Sequence, residues 1–173
     1  MKTKTKTIVT KRLTLASIDD KHKEEAILLF NDPLVKKTYM IPDFANKEQE
    51  DVFFNKIRDL THSDSHYSYG IFLNAELIGF INDVCIENDT IEVGYFIRSD
   101  QWNNGFATEA LSAMIKELCA KEFTVVHSAH FENNLASGRV MQKCGMKLID
   151  KEEIVEYRGE KHRCIYYEIR KIS

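Results

Sequence analysis

Residues 92–110 carry the strongest constraint on the fold: Glu92-Val-Gly-Tyr-Phe-Ile-Arg98, then Ser-Asp-Gln, then Trp102-Asn-Asn-Gly-Phe-Ala-Thr-Glu-Ala110. A β-rich run passes through a short loop with one glycine, Gly105, straight into a helix. That helix spans about Ala107 to Lys121, with Ala110, Leu111, Met114, Ile115 and Leu118 on one face. Gly105 admits a positive φ or a close backbone approach, and Ala107 keeps the helix start unobstructed. The first helical N–H groups have no internal partner, and the helix dipole adds partial positive charge beside them. Such a start can hold a phosphate or pyrophosphate, although an ordinary strand-to-helix turn has the same outline. The chain contains no G-x-x-x-x-G-K-[ST] and no G-x-G-x-x-G after a strand, so kinase-type and Rossmann readings are weak.

The remaining periodicities place this unit within a mixed α/β domain. Ile8 to Ile18 reads as a strand, Asp19-Asp20 opens a helix that stops before Pro33, and Asn46 with Gln49 forms a capping box for a second helix. The polar run Thr61 to Ser65 reads as a loop. Tyr67 to Leu73, Glu76 to Ile86 and Thr90 to Arg98 read as strands in antiparallel hairpins, separated by short polar breaks. Phe123 to Phe131 is a further strand, Asn134 to Cys144 a short helix ended by Gly145, and Met146 to Glu156 and Arg163 to Ile169 are the last strands. Tyr157 to His162 is expected as the loop of that final hairpin. The order β-α-α-β-β-β-α-β-α-β-β shows no internal repeat or linker, so residues 1–173 read as one domain, with 1–7 as a frayed tail.

Composition narrows the class of partner. At 173 residues, with 43% hydrophobic and 29% charged side chains, the chain reads as a soluble globular protein. No apolar run approaches the ~20 residues of a membrane span, so no membrane role is expected. Twenty-four basic against 27 acidic residues, a net charge of −3, speak against a nucleic-acid partner. Cys85, Cys119, Cys144 and Cys164 form no C-x-x-C pair, and the Lys-Thr start leads into no apolar stretch, so free thiols in a reducing cytoplasm are expected. No metal site is read. His127 and His130 are three apart on a strand and face opposite ways, while His62 and His66 lie in a polar loop.

A second constellation follows one strand after the glycine loop: Asn133-Asn134-Leu-Ala-Ser137-Gly138-Arg-Val-Met-Gln-Lys-Cys-Gly145. Asn134 can cap the short helix with Ser137 in its first turn, and capping alone accounts for both residues. Together, W-x-x-G-x-A-T-E-A and N-x-x-S followed by the glycine resemble the GNAT superfamily of acetyl-CoA-dependent N-acetyltransferases. Within it the chain is similar to the branch of ribosomal-protein N-terminal (alanine or serine) acetyltransferases, whose first strand Thr10-Lys-Arg-Leu-Thr-Leu15 also resembles. The resemblance covers nearly the whole chain. It implies a GNAT fold: a mostly antiparallel twisted sheet of about seven strands, splayed in the middle and flanked by about four helices.

The resemblance also implies roles for named residues. The pyrophosphate loop falls on Trp102, Asn103, Asn104, Gly105, Phe106, Ala107 and Thr108, with main-chain N–H groups as donors. Trp102 stands where many relatives carry Gln or Arg. Peptide groups around Phe96, Ile97 and Arg98 would pair with the pantetheine arm of acetyl-CoA as an added strand. Asn134 and Ser137 match positions at the thioester end, with Ser137 as proton donor to the leaving thiolate. Glu92 matches the position of a general base in some members; a strand Glu in a structural hydrogen bond or facing solvent is an equal reading. Glu109 suits the helix dipole better than chemistry. The expected activity is transfer of acetyl to a primary amine, on a protein or peptide N-terminus or on a small molecule. A non-catalytic acyl-CoA-binding module and an unrelated phosphate-binding domain are the competing readings. Neither the acceptor nor the choice between monomer and homodimer is set by these motifs.

Overall fold

A computed structural model describes residues 3–121 and 123–171. Eight strands form one sheet: β1 (Ile8–Val9), β2 (Leu13–Ala16), β3 (Tyr69–Leu73), β4 (Glu76–Glu87), β5 (Thr90–Ile97), β6 (Val125–Phe131), β7 (Lys147–Tyr157) and β8 (Glu160–Arg170). Four α-helices accompany them: α1 (Lys23–Phe30), α2 (Lys47–His62), α3 (Phe106–Ala120) and α4 (Leu135–Lys143). The sheet order is β1-β2-β3-β4-β5-β6-β8-β7. Every neighbouring pair is antiparallel except β5 and β6. This is the mixed α/β arrangement expected from the sequence, with one strand more because the expected Ile8–Ile18 strand breaks in two. There Thr10 Oγ1 and Thr10 N–H both donate to the Leu13 carbonyl, closing a turn.

Alternation along the strands sorts the core into two layers. Leu13, Ile71, Ile91, Val93 and Tyr95 pack with Leu111, Met114 and Leu118 of α3 and Met141 of α4. Phe72, Leu77, Phe80 and Phe96 pack on the other face with Leu29 and Phe30 of α1 and Phe54 and Ile57 of α2.

The starts of α2 and α4 are those that capping chemistry favours, each with an Asn at the cap. Asn46 Oδ1 accepts the Gln49 N–H at 3.0 Å, and the Gln49 side chain accepts the Ala45 N–H at 2.8 Å. Helix α2 extends through Thr61 and His62, which sequence reasoning assigned to a loop. Thr61 is buried because its hydroxyl accepts the Ile18 N–H at 2.9 Å while donating to the Arg58 carbonyl at 2.7 Å. The expected loop Tyr157 to His162 is instead a two-residue turn, Arg158-Gly159, with φ of 53° and 75°; the flanking residues continue the hairpin.

The frayed tail expected over residues 1–7 is also corrected where it is described; residues 1–2 lie outside the described residues. Lys4 is buried, with Nζ donating to the carbonyls of Thr61 at 2.6 Å and Ser68 at 3.1 Å. Burial pushes the Lys4 ammonium down to about 8, although Asp83 and Asp64 pull the other way. Thr5 donates through both N–H and Oγ1 to Glu117 of α3. The Lys-Thr repeat looks like an exposed tail, but these donors find acceptors at Thr61, Ser68 and Glu117, more than fifty positions along the chain.

Candidate functional site

The site begins where two central strands part. Strands β5 and β6 pair only over Thr90–Glu92 with Val125–His127. Beyond that, β5 runs on to Ile97 and β6 to Phe131 without pairing to each other. Ser128 Oγ bridges to the Val93 carbonyl at 2.8 Å where they begin to diverge. On the far side of the gap, Tyr95 Oη donates to the Ser137 carbonyl in the first turn of α4 at 3.2 Å.

The loop after β5 is tied back by side chains and leads into a helix start with unpaired main-chain donors. The Trp102 indole N–H donates to the Ile97 carbonyl at 2.7 Å, which ties the loop's first residue to the strand end. Asn104 Nδ2 closes the loop on the carbonyls of Gln101 and Trp102. Asn103 and Gly105 both take positive φ, 62° and 79°, and no side chain caps α3. The first intrahelical bond is Glu109 N–H to the Gly105 carbonyl at 3.0 Å, so the N–H groups of Phe106, Ala107 and Thr108 have no partner within the helix. An anion placed there meets several donors and the positive end of the dipole.

Arg12, at the foot of β2, braces this loop from outside. Its Nη1 donates to the Asn104 carbonyl at 2.9 Å, its guanidinium lies 4.5 Å from the Phe106 ring centroid, and its Nε meets Glu109 Oε2 at 2.8 Å. Glu109 is occupied by this brace. Burial alone would push its carboxyl up, but bonds from Thr10 and Arg12 outweigh that and hold it below the usual range.

A cleft of about 350 Å³ follows the splay and joins the two sequence constellations. Phe96, Ile97, Trp102, Asn103, Gly105, Phe106, Ala107, Thr108, Asn134 and Ser137 all line it. Three expected residues do not. The Asn104 side chain is turned into the loop. The Arg98 N–H, expected to be free for a pseudo-strand, donates to the Ile78 carbonyl of β4 at 2.7 Å, and its guanidinium pairs with Glu76 and Asp100. Strand alternation explains this: Arg98 faces β4, so the peptide edge toward the splay belongs to residues of the other parity. Glu92, the third, lies on the opposite face.

Sequence reasoning missed Tyr95, Arg139 and Lys143, which also line the cleft. Arg139 and Lys143 were legible as a basic pair one helical turn apart, following Asn134 on the same helix. They bring positive charge to a cleft whose far wall is an uncapped helix start.

Glu92 stands at the last position where β5 pairs with β6, on the α1–α2 face with Gly94 and Phe96. Burial pushes its carboxyl up and Glu153 adds to this, while Lys151 and His127 pull it down. Tyr39 covers the next positions: its hydroxyl donates to Asn82 Oδ1 at 2.7 Å, and a Cβ on Gly94 would meet that hydroxyl at 2.7 Å. Tyr166 Oη donates to Glu153 Oε2 at 2.7 Å. Tyr157 Oη donates to the Ile41 carbonyl at 2.9 Å and accepts the Ile41 N–H at 3.4 Å, fastening the last hairpin to the segment after α1. Ser137 and Glu92 thus approach the splay from opposite faces of the sheet. Among the described residues no three His, Cys, Asp or Glu side chains gather to hold a metal, and no helix is long and apolar enough to cross a membrane.

A splayed parallel pair, a donor-rich helix start and a carboxylate behind the gap suit a phosphorylated acyl carrier on one face and a nucleophile on the other. Comparison with known proteins points the same way. Residues 12–147 match the family model described as an acetyltransferase (GNAT) domain. The uncharacterized N-acetyltransferase YoaA of Bacillus subtilis is 27% identical over 143 residues, 80% of this chain and 81% of the relative. Among solved structures, the RimL ribosomal L7/L12 alpha-N-protein acetyltransferase superposes with a TM-score of 0.81 at 18% identity, covering 95% of this chain and 94% of that one. The microcin C7 self-immunity acetyltransferase MccE, in complex with acetyl-CoA and AMP, gives a TM-score of 0.81 at 19% identity, covering 94% of each chain. With the match spanning the loop, the splay and α4, the chain belongs to the GNAT acetyltransferase family.

Proposed function

We propose that residues 1–173 form one acetyltransferase domain that moves acetyl from acetyl-CoA to a primary amine, the N-terminal α-amino group of a peptide or protein. The observation that carries this reading is the single cleft in which the uncapped start of α3 and Ser137 of α4 meet across the β5–β6 splay. The co-substrate supplies an activated acyl group as a thioester, and the chain's own groups do the rest. The N–H groups of Phe106, Ala107 and Thr108 bind the pyrophosphate, and Arg139 and Lys143 add positive charge nearby. The peptide groups of Tyr95 and the N–H of Ile97, on the edge of β5 that faces the splay, align the pantetheine arm, while the Ile97 carbonyl stays with the Trp102 indole.

Attack by the neutral amine gives a tetrahedral intermediate. A main-chain N–H of β5 facing the splay stabilises its oxyanion, an effect worth ~2.7–4 kcal/mol per donor in comparable sites. The leaving thiolate has an ordinary pKa near ~8.5, so one hydroxyl donor, Ser137, is sufficient help. Deprotonating an α-amino group of pKa ~7.7–8.0 costs about 1 kcal/mol at pH 7, whereas an alkylamine near ~10.4 costs about 4.6 kcal/mol. Glu92, on the acceptor face and with a raised pKa, is matched to the easier task as a base acting through water. RimL, described as acting on a protein α-amino group, has the same fold. The free cysteines fit action in a reducing cytoplasm.

Thermal unfolding with acetyl-CoA, coenzyme A, ATP and NAD tests the cofactor side. A ligand at 100 times its Kd adds ~2.7 kcal/mol, a shift of several degrees at this chain length. The two coenzyme A forms alone should give it, and a flat response at millimolar ligand overturns the reading. Product analysis with free-N-terminal peptides, N-blocked lysine peptides and a polyamine then tests the acceptor. Acetylation of the polyamine in preference to the free N-terminus would move the assignment to small amines.

A further inference from the structure

We infer that Asn134 is a positioning residue that sets the direction in which Ser137 delivers its proton. The inference rests on the reading of Ser137 as proton donor given above. Asn134 Oδ1 accepts the Ser137 backbone N–H at 3.4 Å, and Asn134 Nδ2 donates to Ser137 Oγ at 2.9 Å. The first bond fixes the second. A main-chain N–H must face the oxygen end of the amide, so the end facing Oγ is the NH₂ group, which can only donate. Ser137 Oγ therefore presents a lone pair to Asn134, and its O–H points elsewhere. Among the described residues no protein acceptor takes that proton, while Ser137 and Asn134 both line the cleft. Tyr95 holds the same turn from β5 through the Ser137 carbonyl, which fixes the backbone that carries the hydroxyl.

Capping α4 does not require this second bond. Asp and Ser cap helices as well as Asn does, using an acceptor oxygen alone. The amide adds a donor aimed at the hydroxyl, and that donor leaves the Ser137 proton for a group in the cleft. As the C–S bond breaks, the hydroxyl proton passes to the departing sulfur. The proton lost by the amine leaves through water and Glu92, and solvent returns one proton to Ser137.

Asn134→Asp tests this directly, because it keeps the cap oxygen but replaces the NH₂ donor with a second acceptor. The Ser137 hydroxyl then turns to donate to the carboxylate. Expected is a fall in kcat of about 10-fold to 10²-fold, with KM for acetyl-CoA and the thermal midpoint nearly unchanged. In a Ser137→Ala background the same substitution should cause no further loss. Should Asn134→Asp lower the midpoint by several degrees, Asn134→Ser takes its place: it keeps a cap oxygen without the charge and also loses the donor, with a fall of about tenfold expected. Full kcat in Asn134→Asp beside a slow Ser137→Ala overturns the inference alone. An equal fractional loss in the Ser137→Ala background also overturns it, since Asn134 would then act through the helix or through charge. A Ser137→Ala enzyme at the wild-type rate instead removes the underlying role of Ser137.

Discussion

On the α3–α4 side of the splay, the groups facing the cleft come mainly from two short stretches, 95–108 and 134–143, and many are main-chain N–H groups. On the α1–α2 side, the corresponding groups are side chains: Glu92, Tyr39 bonded to Asn82, Tyr166 bonded to Glu153, and Tyr157 bonded to Ile41. Tyr39 and Asn82 lie 43 positions apart, and Tyr157 and Ile41 lie 116 apart. The first side is built by local backbone conformation and can bind an invariant group in the same way whatever side chains surround it. The second is built by tertiary assembly, so it can be altered one residue at a time without disturbing the first. A transferase with a fixed donor and a variable acceptor needs this division.

The largest test of the division is Glu92→Gln. The raised pKa of Glu92 means that the folded chain holds this proton more tightly than the unfolded chain. Its contribution to stability is therefore complete below the unfolded carboxylate pKa and is lost as pH rises through the folded value. Removing the charge should leave the thermal midpoint at pH 7 equal to or above that of the parent. Turnover should fall by about 10²-fold with acetyl-CoA affinity unchanged. Wild-type turnover in this variant would remove Glu92 from the chemistry and break the acceptor side as drawn.

Gly105→Val probes the other side. At φ 79°, with the Arg12 guanidinium 3.4 Å from an added Cβ, a β-branched residue is strained by ~1–3 kcal/mol. The expected result, by calorimetry and steady-state kinetics, is an acetyl-CoA Kd about tenfold weaker, since ~1.4 kcal/mol is tenfold, with kcat at saturation largely kept. Unchanged affinity would mean that the start of α3 is not the anion site. The smallest effect is expected from Tyr157→Phe, which removes both bonds to Ile41 and costs ~1 kcal/mol. KM for the acceptor should rise several-fold while the acetyl-CoA Kd stays constant. A change in the acetyl-CoA Kd instead would show that the two faces are coupled.

The same division explains what could be read from the sequence. Gly105, the strong amphipathic helix after it and the Asn134–Ser137 spacing are local signals, and they point to the segments that share the cleft and to the fold around it. The fate of Arg98 was not local: which edge of β5 is free depends on its register with β4, seen in the Arg98–Ile78 bond. Arg12 reaching the glycine loop, Tyr95 reaching Ser137 and Lys4 entering the core are contacts between distant segments, and no periodicity marks them. Thr61 shows the converse error: its polar side chain suggested a loop, yet a buried hydroxyl with both donor and acceptor satisfied is compatible with a helix end.

The Tyr157–Ile41 clasp also dictates an order of assembly. A chain emerging from the ribosome at ~5–20 residues per second folds N-terminal parts first where it can. The segment after α1 is synthesised early, but its partner hydroxyl lies 116 positions later, in the final hairpin. The glycine loop and the start of α3 are local and can take shape as soon as β4 and β5 are out, whereas the α1–α2 side of the splay is not closed until β7 and β8 have left the tunnel. A nascent chain halted before residue 157 therefore has the glycine loop but not the clasp that closes the α1–α2 side.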